Sequence, residues 1–279
     1  MNIQLIVSDL DDSLLNEHSE LSPRTIKAMK RCREAGAQIM LASGRMAQAM
    51  INYARQLEVT LPLLAFNGAE TVDPATMQIT DSLRLDRQVT IEICRYCEEN
   101  GLHIQTYDGD AILIPRENPY ATRYHASMRA AAYLKPVGMP MSEYIEKYVE
   151  DGVPKLLILD EPERVSQLLP VLKEQYEGRA ACFISRPSYL EITSPLASKG
   201  NALRVQAQKL GIPLENIAAF GDGINDLPML EIAGFGCTVA NAKEVVRQAV
   251  QHVAPSNRED GVAQVLEQLL EQGHIGKGV

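Results

Sequence analysis

The sequence predicts an α/β protein: a Rossmann-like, doubly wound parallel-sheet core interrupted by an inserted α+β cap domain. Three observations carry this. Short apolar runs alternate with amphipathic segments through the first third of the chain, the middle changes to hairpin-like strands and separate helices, and the last third resumes the first pattern. Strand–helix alternation is the signature of a parallel sheet with helices on both faces. The expected bounds are 1–83 and 191–279 for the core and 84–190 for the insertion.

The elements follow in order. Leu5-Ile6-Val7 reads as a buried strand. Ser22-Pro23 offers an N-cap followed by a helix-starting proline, Ile26, Met29 and Arg33 continue the turn spacing, and Gly36 is a stop. Residues 38–42 form the next strand, 46–57 a helix and 63–66 a third strand. In the middle, 70–72 and 78–80 read as a hairpin, 87–100 as a helix ending at Gly101, and two strands flank Asp108-Gly109-Asp110. A strand at 155–159, a helix at 165–176 and strands near Cys182 and over 189–193 complete the insertion, with antiparallel neighbours expected. The last third gives helices at 201–210, 227–232, 244–250 and 262–270, with strands at 217–220 and 237–239. The tail from Gly273 is expected to be disordered.

Composition narrows the function. The chain has 279 residues, enough for one large domain or two ordinary ones, and 46% hydrophobic residues supply a core. Trp is absent and Phe numbers four, so packing is aliphatic. A net charge of -9 argues against nucleic acid as a partner, because backbone binding needs clustered Lys and Arg. It also means that an anionic substrate needs a local cation or an anion-binding loop. The N-terminus has no basic stretch leading into a long apolar one, and no apolar run approaches the ~20 residues a membrane helix needs, so no membrane partner is expected. The five cysteines (Cys32, Cys94, Cys97, Cys182, Cys237) are odd in number and scattered, which suits reduced thiols in a cytoplasmic protein. Cys94 and Cys97 form a C-x-x-C, but inside helical periodicity and without a second ligand pair at zinc spacing, so they read as buried helix positions. Nothing in the sequence sets an oligomeric state.

Four loops hold the polar residues of interest, each just past a strand or before a helix. Asp9-Leu10-Asp11-Asp12-Ser13 follows the first strand, and two carboxylates beside one metal can take different roles, one ionised and one carrying a proton. Ser43-Gly44-Arg45 follows the second strand, where a hydroxyl and free backbone N–H groups make an anion site that Gly44 lets a ligand approach. Ser198-Lys199-Gly200 opens a helix and supplies a point charge at the end where the helix dipole disfavours one. Gly221-Asp222-Gly223-Ile224-Asn225-Asp226 is oxygen-rich and suits a hard cation such as Mg²⁺. Taken singly, each also reads as an ordinary solvated turn or cap. Taken together, they set a nucleophile candidate, an acid/base, a hydroxyl, a Lys and an acidic metal site at the strand ends of one α/β pattern.

The set resembles the haloacid dehalogenase-like hydrolase superfamily, and within it the Cof-type sugar-phosphate phosphatases with a large α/β cap. Asp9-Leu10-Asp11-Asp12-Ser13 resembles the first motif, Ser43-Gly44-Arg45 the second, Lys199-Gly200 the third, and Gly221-Asp222 through Asn225-Asp226 the fourth. Asn67-Gly68-Ala69, Met229-Leu230 and Asp260-Gly261-Val262-Ala263 also match Cof-type patterns. The resemblance implies that Asp9 attacks phosphorus and that Asp11 protonates the leaving oxygen and then activates water. It implies Mg²⁺ on the carboxylates of Asp9 and Asp222 and the backbone carbonyl of Asp11. Ser43, Gly44 and Lys199 would hold the phosphoryl oxygens, and Asn225 and Asp226 would complete the metal's surroundings or orient Lys199, with Ser13 in support.

Two positions depart from the commoner pattern. Ser13 stands where Thr is usual, and Asp12 where Gly is often found; Asp tolerates unusual turn dihedrals better than most residues. The presence of Asp11 speaks against C–Cl chemistry, since the dehalogenases of the superfamily lack that acid. The expected activity is hydrolysis of a small phosphorylated metabolite, a sugar phosphate first. Two other readings share the motifs: a phosphosugar mutase, separated by phosphate release, and a non-enzymatic sensor that keeps phosphate on Asp9. The cap would choose the substrate, with Arg123, His125 and Arg186 as residues able to face either cleft or solvent.

Overall fold

The computed structural model of the chain describes residues 1–127 and 132–276. It divides into two compact units, Met1–Asp81 with Ser198–Val279, and Ser82–Ala197. The first unit opens with β1 (Leu5–Ser8), α1 (Pro23–Glu34), β2 (Gln38–Leu41), α2 (Ile51–Gln56), β3 (Leu63–Ala65), β4 (Glu70–Val72) and β5 (Ile79–Ser82). Leu5, Ile6 and Val7 have no exposed surface, as a strand covered on both faces requires. Ser22 caps α1 by accepting from the Thr25 amide at 3.0 Å, with Pro23 at the first helical position. The expected helix over 46–57 is shorter. The Arg45 carbonyl accepts from the Phe66 amide at 2.9 Å, which keeps the chain extended through Met46. A 3₁₀ turn at Ala47–Ala49 follows, and regular helix begins only at Ile51.

The second unit contains α3 (Arg87–Glu99), β6 (His103–Asp108), β7 (Ala111–Ile114), α4 (Pro119–Ser127), β8 (Tyr133–Pro136), α5 (Met141–Tyr148), β9 (Leu156–Leu159), α6 (Pro162–Gln175), β10 (Ala181–Arg186) and β11 (Tyr189–Thr193). Its six-stranded sheet runs β10-β11-β9-β6-β7-β8, antiparallel except for the parallel pair β7–β8. Ile104, Leu156, Ile158, Leu190 and Ile192 share a hydrophobic core with Val89, Ile93, Cys94 and Cys97 of α3 and Val165, Leu168 and Leu172 of α6. Cys94 and Cys97 are therefore apolar packing residues, and burial pushes both thiols up. Polar groups are buried in this unit as well: Lys155, just ahead of β9, has Nζ 3.2 Å from Glu191 Oε2 on β11, and Gln105 on β6 donates to the Tyr107 hydroxyl at 3.2 Å. The expected boundary at 190/191 falls inside β11, whose ladders with β9 and β10 keep it whole, so the divisions lie at 81/82 and 197/198. The elements α4, β8 and α5 did not show in the sequence, where Pro115, Pro119, Pro136 and Pro140 break the periodicity.

The chain then completes the first unit with α7 (Lys199–Leu210), β12 (Ile217–Gly221), α8 (Leu227–Ile232), β13 (Phe235–Val239), α9 (Glu244–Ala249), β14 (His252–Ala254) and α10 (Gly261–Glu271). All five strands of its main sheet are parallel, in the order β14-β13-β12-β1-β2. From β1 the chain winds outward through β2, and after the insertion it returns on the other side through β12. The winding direction thus reverses at β1, and the carboxyl ends of β1 and β12 are where an open sheet of this kind binds its ligands. The tail differs from expectation up to residue 276. The Ile3 amide donates to the His274 carbonyl at 2.7 Å, and Ile275 is buried against Ile3 in a parallel bridge. Residues 277–279 of that expected disordered tail lie outside the described residues. Among the described residues no helix is long and apolar enough to cross a membrane.

Candidate active site

Asp9 follows β1 directly. Its amide donates to the Phe220 carbonyl at 2.9 Å, which carries the β1–β12 ladder one residue past the strand and fixes where the side chain emerges. The chain then coils, with Leu15 N–H closing onto the Leu10 carbonyl at 2.9 Å. Asp12 takes up the reversal at φ 55°, in the left-handed region that Asp tolerates better than most residues, which accounts for Asp at a position suited to Gly. Two asparagines from the segments after β13 and β14 pin this coil: Asn241 Nδ2 donates to the Asp12 carbonyl at 2.7 Å and Asn257 Nδ2 to the Leu15 carbonyl at 2.9 Å. Neither carried a sequence signal, because each acts through a backbone carbonyl more than 200 positions away.

On the neighbouring strand end, Asp222 and Asp226 close the acidic cluster. Carboxylate oxygens of Asp9, Asp222 and Asp226 lie within 4.8 Å of one another. Lys199, at the start of α7 and fully buried, sits between them with Nζ 2.5 Å from Asp9 Oδ1 and 2.5 Å from Asp226 Oδ1. The other Asp226 oxygen accepts the amides of Asp222 at 3.0 Å and Gly223 at 2.8 Å. Asp226 is thus the residue that both shapes the loop and aims Lys199. Asp222 Oδ1 accepts from Ser13 Oγ at 2.9 Å, so Ser13 orients the second strand's carboxylate. Close packing demands glycine here: a Cβ on Gly200 would meet the Pro228 carbonyl oxygen at 2.3 Å, and one on Gly221 would meet Asp226 Cβ at 2.4 Å.

Three carboxylates thus face one buried ammonium. Burial pushes the Asp9 carboxyl well up, against the pull of Lys199 and with Asp226 and Asp222 adding to the rise. Asp222 is pushed up to about 7, mainly by burial and then by Asp226, while the Ser13 hydrogen bond works the other way. Burial alone would lower Lys199, but Asp226 and Asp9 override it and hold the ammonium charged. A site with surplus negative charge, hard oxygen donors and no thiol or imidazole suits Mg²⁺ rather than a soft metal. Among the described residues this is the one such cluster of His, Cys, Asp or Glu. Asp226, expected to complete the metal's surroundings or to orient Lys199, stands in the cluster with Asp9 and Asp222 and also bonds Lys199. Asp11 is not in the side-chain cluster, leaving its backbone carbonyl as the expected ligand.

The Asp11 carboxylate is instead gripped by Arg45, with Nε 2.7 Å from Oδ2 and Nη2 2.6 Å from Oδ1. The guanidinium also lies over the Tyr53 ring, 5.5 Å from its centroid. The sequence motif assigns no role to Arg45; a fork-shaped cation just after an anion loop is the signal that points to it. Ser43 is buried at the end of β2, its amide bonded to the Leu64 carbonyl at 2.9 Å and its hydroxyl accepting from the Arg45 amide at 3.2 Å. Asn225, in the same loop as Asp222 and Asp226, donates through Nδ2 to Asn67 Oδ1 at 2.8 Å. Of the residues named in the insertion, Arg123 and Arg186 are exposed, and His125 Nε2 donates to the Ala132 carbonyl at 2.8 Å.

These features agree with what the chain resembles. A family model described as haloacid dehalogenase-like hydrolase matches residues 6–266. The phosphatase YwpJ of Bacillus subtilis is 27% identical, over 96% of this chain and 100% of that protein. A crystal structure of a haloacid dehalogenase-like hydrolase from Bacteroides thetaiotaomicron superposes with a TM-score of 0.85 at 28% identity, over 96% of this chain and 100% of that one. A crystal structure from Thermotoga maritima does so with a TM-score of 0.82 at 31% identity, over 95% and 97%. With the family model spanning nearly its whole length, the chain belongs to the haloacid dehalogenase-like hydrolase family.

Proposed function

We propose that this phosphatase hydrolyses a small phosphorylated metabolite, a sugar phosphate first among candidates, with Asp9 as nucleophile, Asp11 as proton carrier and Mg²⁺ as cofactor. The observation that carries the reading is the convergence of Asp9, Asp222 and Asp226 around Lys199 at two adjacent parallel strand ends. Mg²⁺ held by Asp9, Asp222 and the Asp11 carbonyl would offset the repulsion between the attacking carboxylate and the anionic ester.

In the first half-reaction an Asp9 carboxylate oxygen forms a bond to phosphorus as the bond to the ester oxygen breaks. The leaving oxygen takes the electron pair and receives a proton from Asp11. In the second, Asp11 removes a proton from water, the water oxygen bonds to phosphorus, and the acyl-phosphate bond breaks to return the Asp9 carboxylate and free phosphate. Lys199 holds its charge against Asp9 and the incoming phosphoryl oxygens throughout, while Ser43 Oγ and the Gly44 amide take the remaining oxygens. Asp11 begins this cycle bound to Arg45, so acid catalysis includes its release or protonation at that contact.

A screen of phosphorylated metabolites, scored by free phosphate with and without Mg²⁺, tests the reading. Metal-dependent release from at least one sugar phosphate is the expected result. Release that is indifferent to Mg²⁺ removes the cofactor assignment, and release confined to phosphorylated compounds that are not sugars removes the substrate class.

A further inference from the structure

Asn67 joins the phosphate-binding loop to the metal-binding loop, and nothing in the reaction above uses it. The residue follows β3 in a short turn where Phe66, Asn67 and Gly68 all have positive φ, 48°, 57° and 87°. Such a run is costly for residues bearing a Cβ and persists only when the surroundings fix it. Here they do. The Phe66 amide donates to the Arg45 carbonyl at 2.9 Å and the Asn67 amide to the Ser43 carbonyl at 2.9 Å, so the turn is stitched to both ends of the Ser43-Gly44-Arg45 loop. A Cβ on Gly68 would strike the Ser198 carbonyl oxygen at 2.5 Å, which sets the turn directly against the residue preceding Lys199.

The Asn67 side chain, 3% exposed, spans the remaining gap. Its Oδ1 accepts from Asn225 Nδ2 at 2.8 Å, in the loop that carries Asp222 and Asp226. Its Nδ2 lies 3.2 Å from where a Cβ on Gly44 would stand, so the carboxamide rests on the backbone of the anion loop. One side chain thus touches the second motif and the fourth, and its own turn abuts the third.

Resting on the phosphatase reading of this site, we propose that Asn67 is a positioning residue that fixes the spacing between the phosphate-binding loop and the metal-binding loop. It makes binding of phosphate and binding of Mg²⁺ mutually favourable. The physical reason is preorganisation. A phosphoryl group that must meet both Ser43-Gly44 and an ion held at Asp222 binds best when the two loops already stand at the right separation. If each ligand had to order its own loop, the first to bind would gain less from the second. Binding linkage is reciprocal, so the effect is readable from either ligand.

The test is the dissociation constant of inorganic phosphate, measured by calorimetry with and without Mg²⁺, for the wild type, Asn67→Gly and Asn225→Ala. Glycine suits the left-handed backbone at 67, and the Asn225 variant removes the same hydrogen bond from the other side without touching the turn. In the wild type Mg²⁺ should tighten phosphate binding. In both variants that enhancement should shrink by about three- to tenfold, the range of one neutral hydrogen bond, and the double variant should lose no more than either single one. A merely structural role would lower the melting temperature and leave the enhancement intact, and that result overturns the proposal. A wild type in which Mg²⁺ and phosphate bind without affecting each other, or do not bind, overturns the phosphatase reading of the site and the proposal with it.

Discussion

Arg45 holds Asp11 with two parallel hydrogen bonds, at 2.7 and 2.6 Å, and so ties the end of the second strand to the residue two places past Asp9. The guanidinium fork matches a carboxylate in a way an ammonium cannot. We predict that Arg45→Ala lowers kcat by about 10- to 100-fold, in line with the loss of a charged bidentate contact, and that Arg45→Lys restores little of it. The loss should be larger for an alkyl phosphate than for an aryl phosphate, because in the proposed cycle only the poorer leaving group depends on a proton from Asp11. Equal losses on the two substrates would show that Arg45 acts elsewhere.

Lys199 is the single ammonium set against three carboxylates. Replacing it with Met leaves Asp9 and Asp226 buried together without their cation. Breaking a buried pair in this way costs roughly 3–5 kcal/mol of stability, and losing one preorganised electrostatic group costs roughly 10²–10³ in rate. Thermal unfolding of Lys199→Met should show the lower melting temperature, and Mg²⁺ should recover part of it by supplying charge to the same oxygens. A melting temperature unmoved by the substitution contradicts the packing described.

Asp222 predicts a pH dependence. Its carboxyl is pushed up to about 7 from an ordinary 3.8. A raised carboxyl binds its proton more tightly in the folded state than in the unfolded one. Its favourable contribution is therefore present at low pH and is lost as pH rises from about 4 to about 7. Asp9 is displaced in the same direction. The metal-free protein should lose stability across that window. Mg²⁺ affinity should rise across it, with protons released on binding. Calorimetry of Mg²⁺ binding in two buffers of different ionisation heat counts those protons; a count of zero at pH 6 contradicts the assignment.

Gly200 tests the packing that delivers Lys199. A methyl group there would stand 2.3 Å from the Pro228 carbonyl oxygen, which is backbone and has nowhere to go. Gly200→Ala should cost about 1–3 kcal/mol, the usual penalty for overpacking, and should lower activity along with stability by shifting the start of α7. A variant with wild-type unfolding and wild-type turnover would show that the α7–α8 contact is loose.

Much of the fold was legible because local signals and tertiary structure agree. The apolar runs at Leu5-Ile6-Val7 and Ile217-Ala218-Ala219-Phe220 became adjacent parallel strands, and the Ser22-Pro23 cap became the start of α1. The segment from 115 to 150 was not legible, since its described helices are short and proline-bounded and the strand β8 pairs in parallel with β7. Within the site, the acidic residues at strand ends could be found from the four motifs taken together and from the family they resemble. What could not be found was which neighbour each would take. Asp11 turns to Arg45 and Asn225 to Asn67, and Asp226, besides the contact with Lys199 that the resemblance allowed, takes two backbone amides. Those choices depend on the left-handed turns at Asp12 and Asn67, which aim the loops and leave no periodic trace in the sequence.

The central claim is that the Asp9 carboxylate itself receives the phosphoryl group. Rapid acid quench of the enzyme with a hydrolysable phosphate ester and Mg²⁺, followed by mass analysis of the peptide holding residue 9, tests it most directly. The account predicts a phosphoryl adduct on Asp9 that appears and decays within a turnover and is absent from Asp9→Asn, which releases no phosphate. Sustained phosphate release by Asp9→Asn, or an adduct on any other residue, would contradict it.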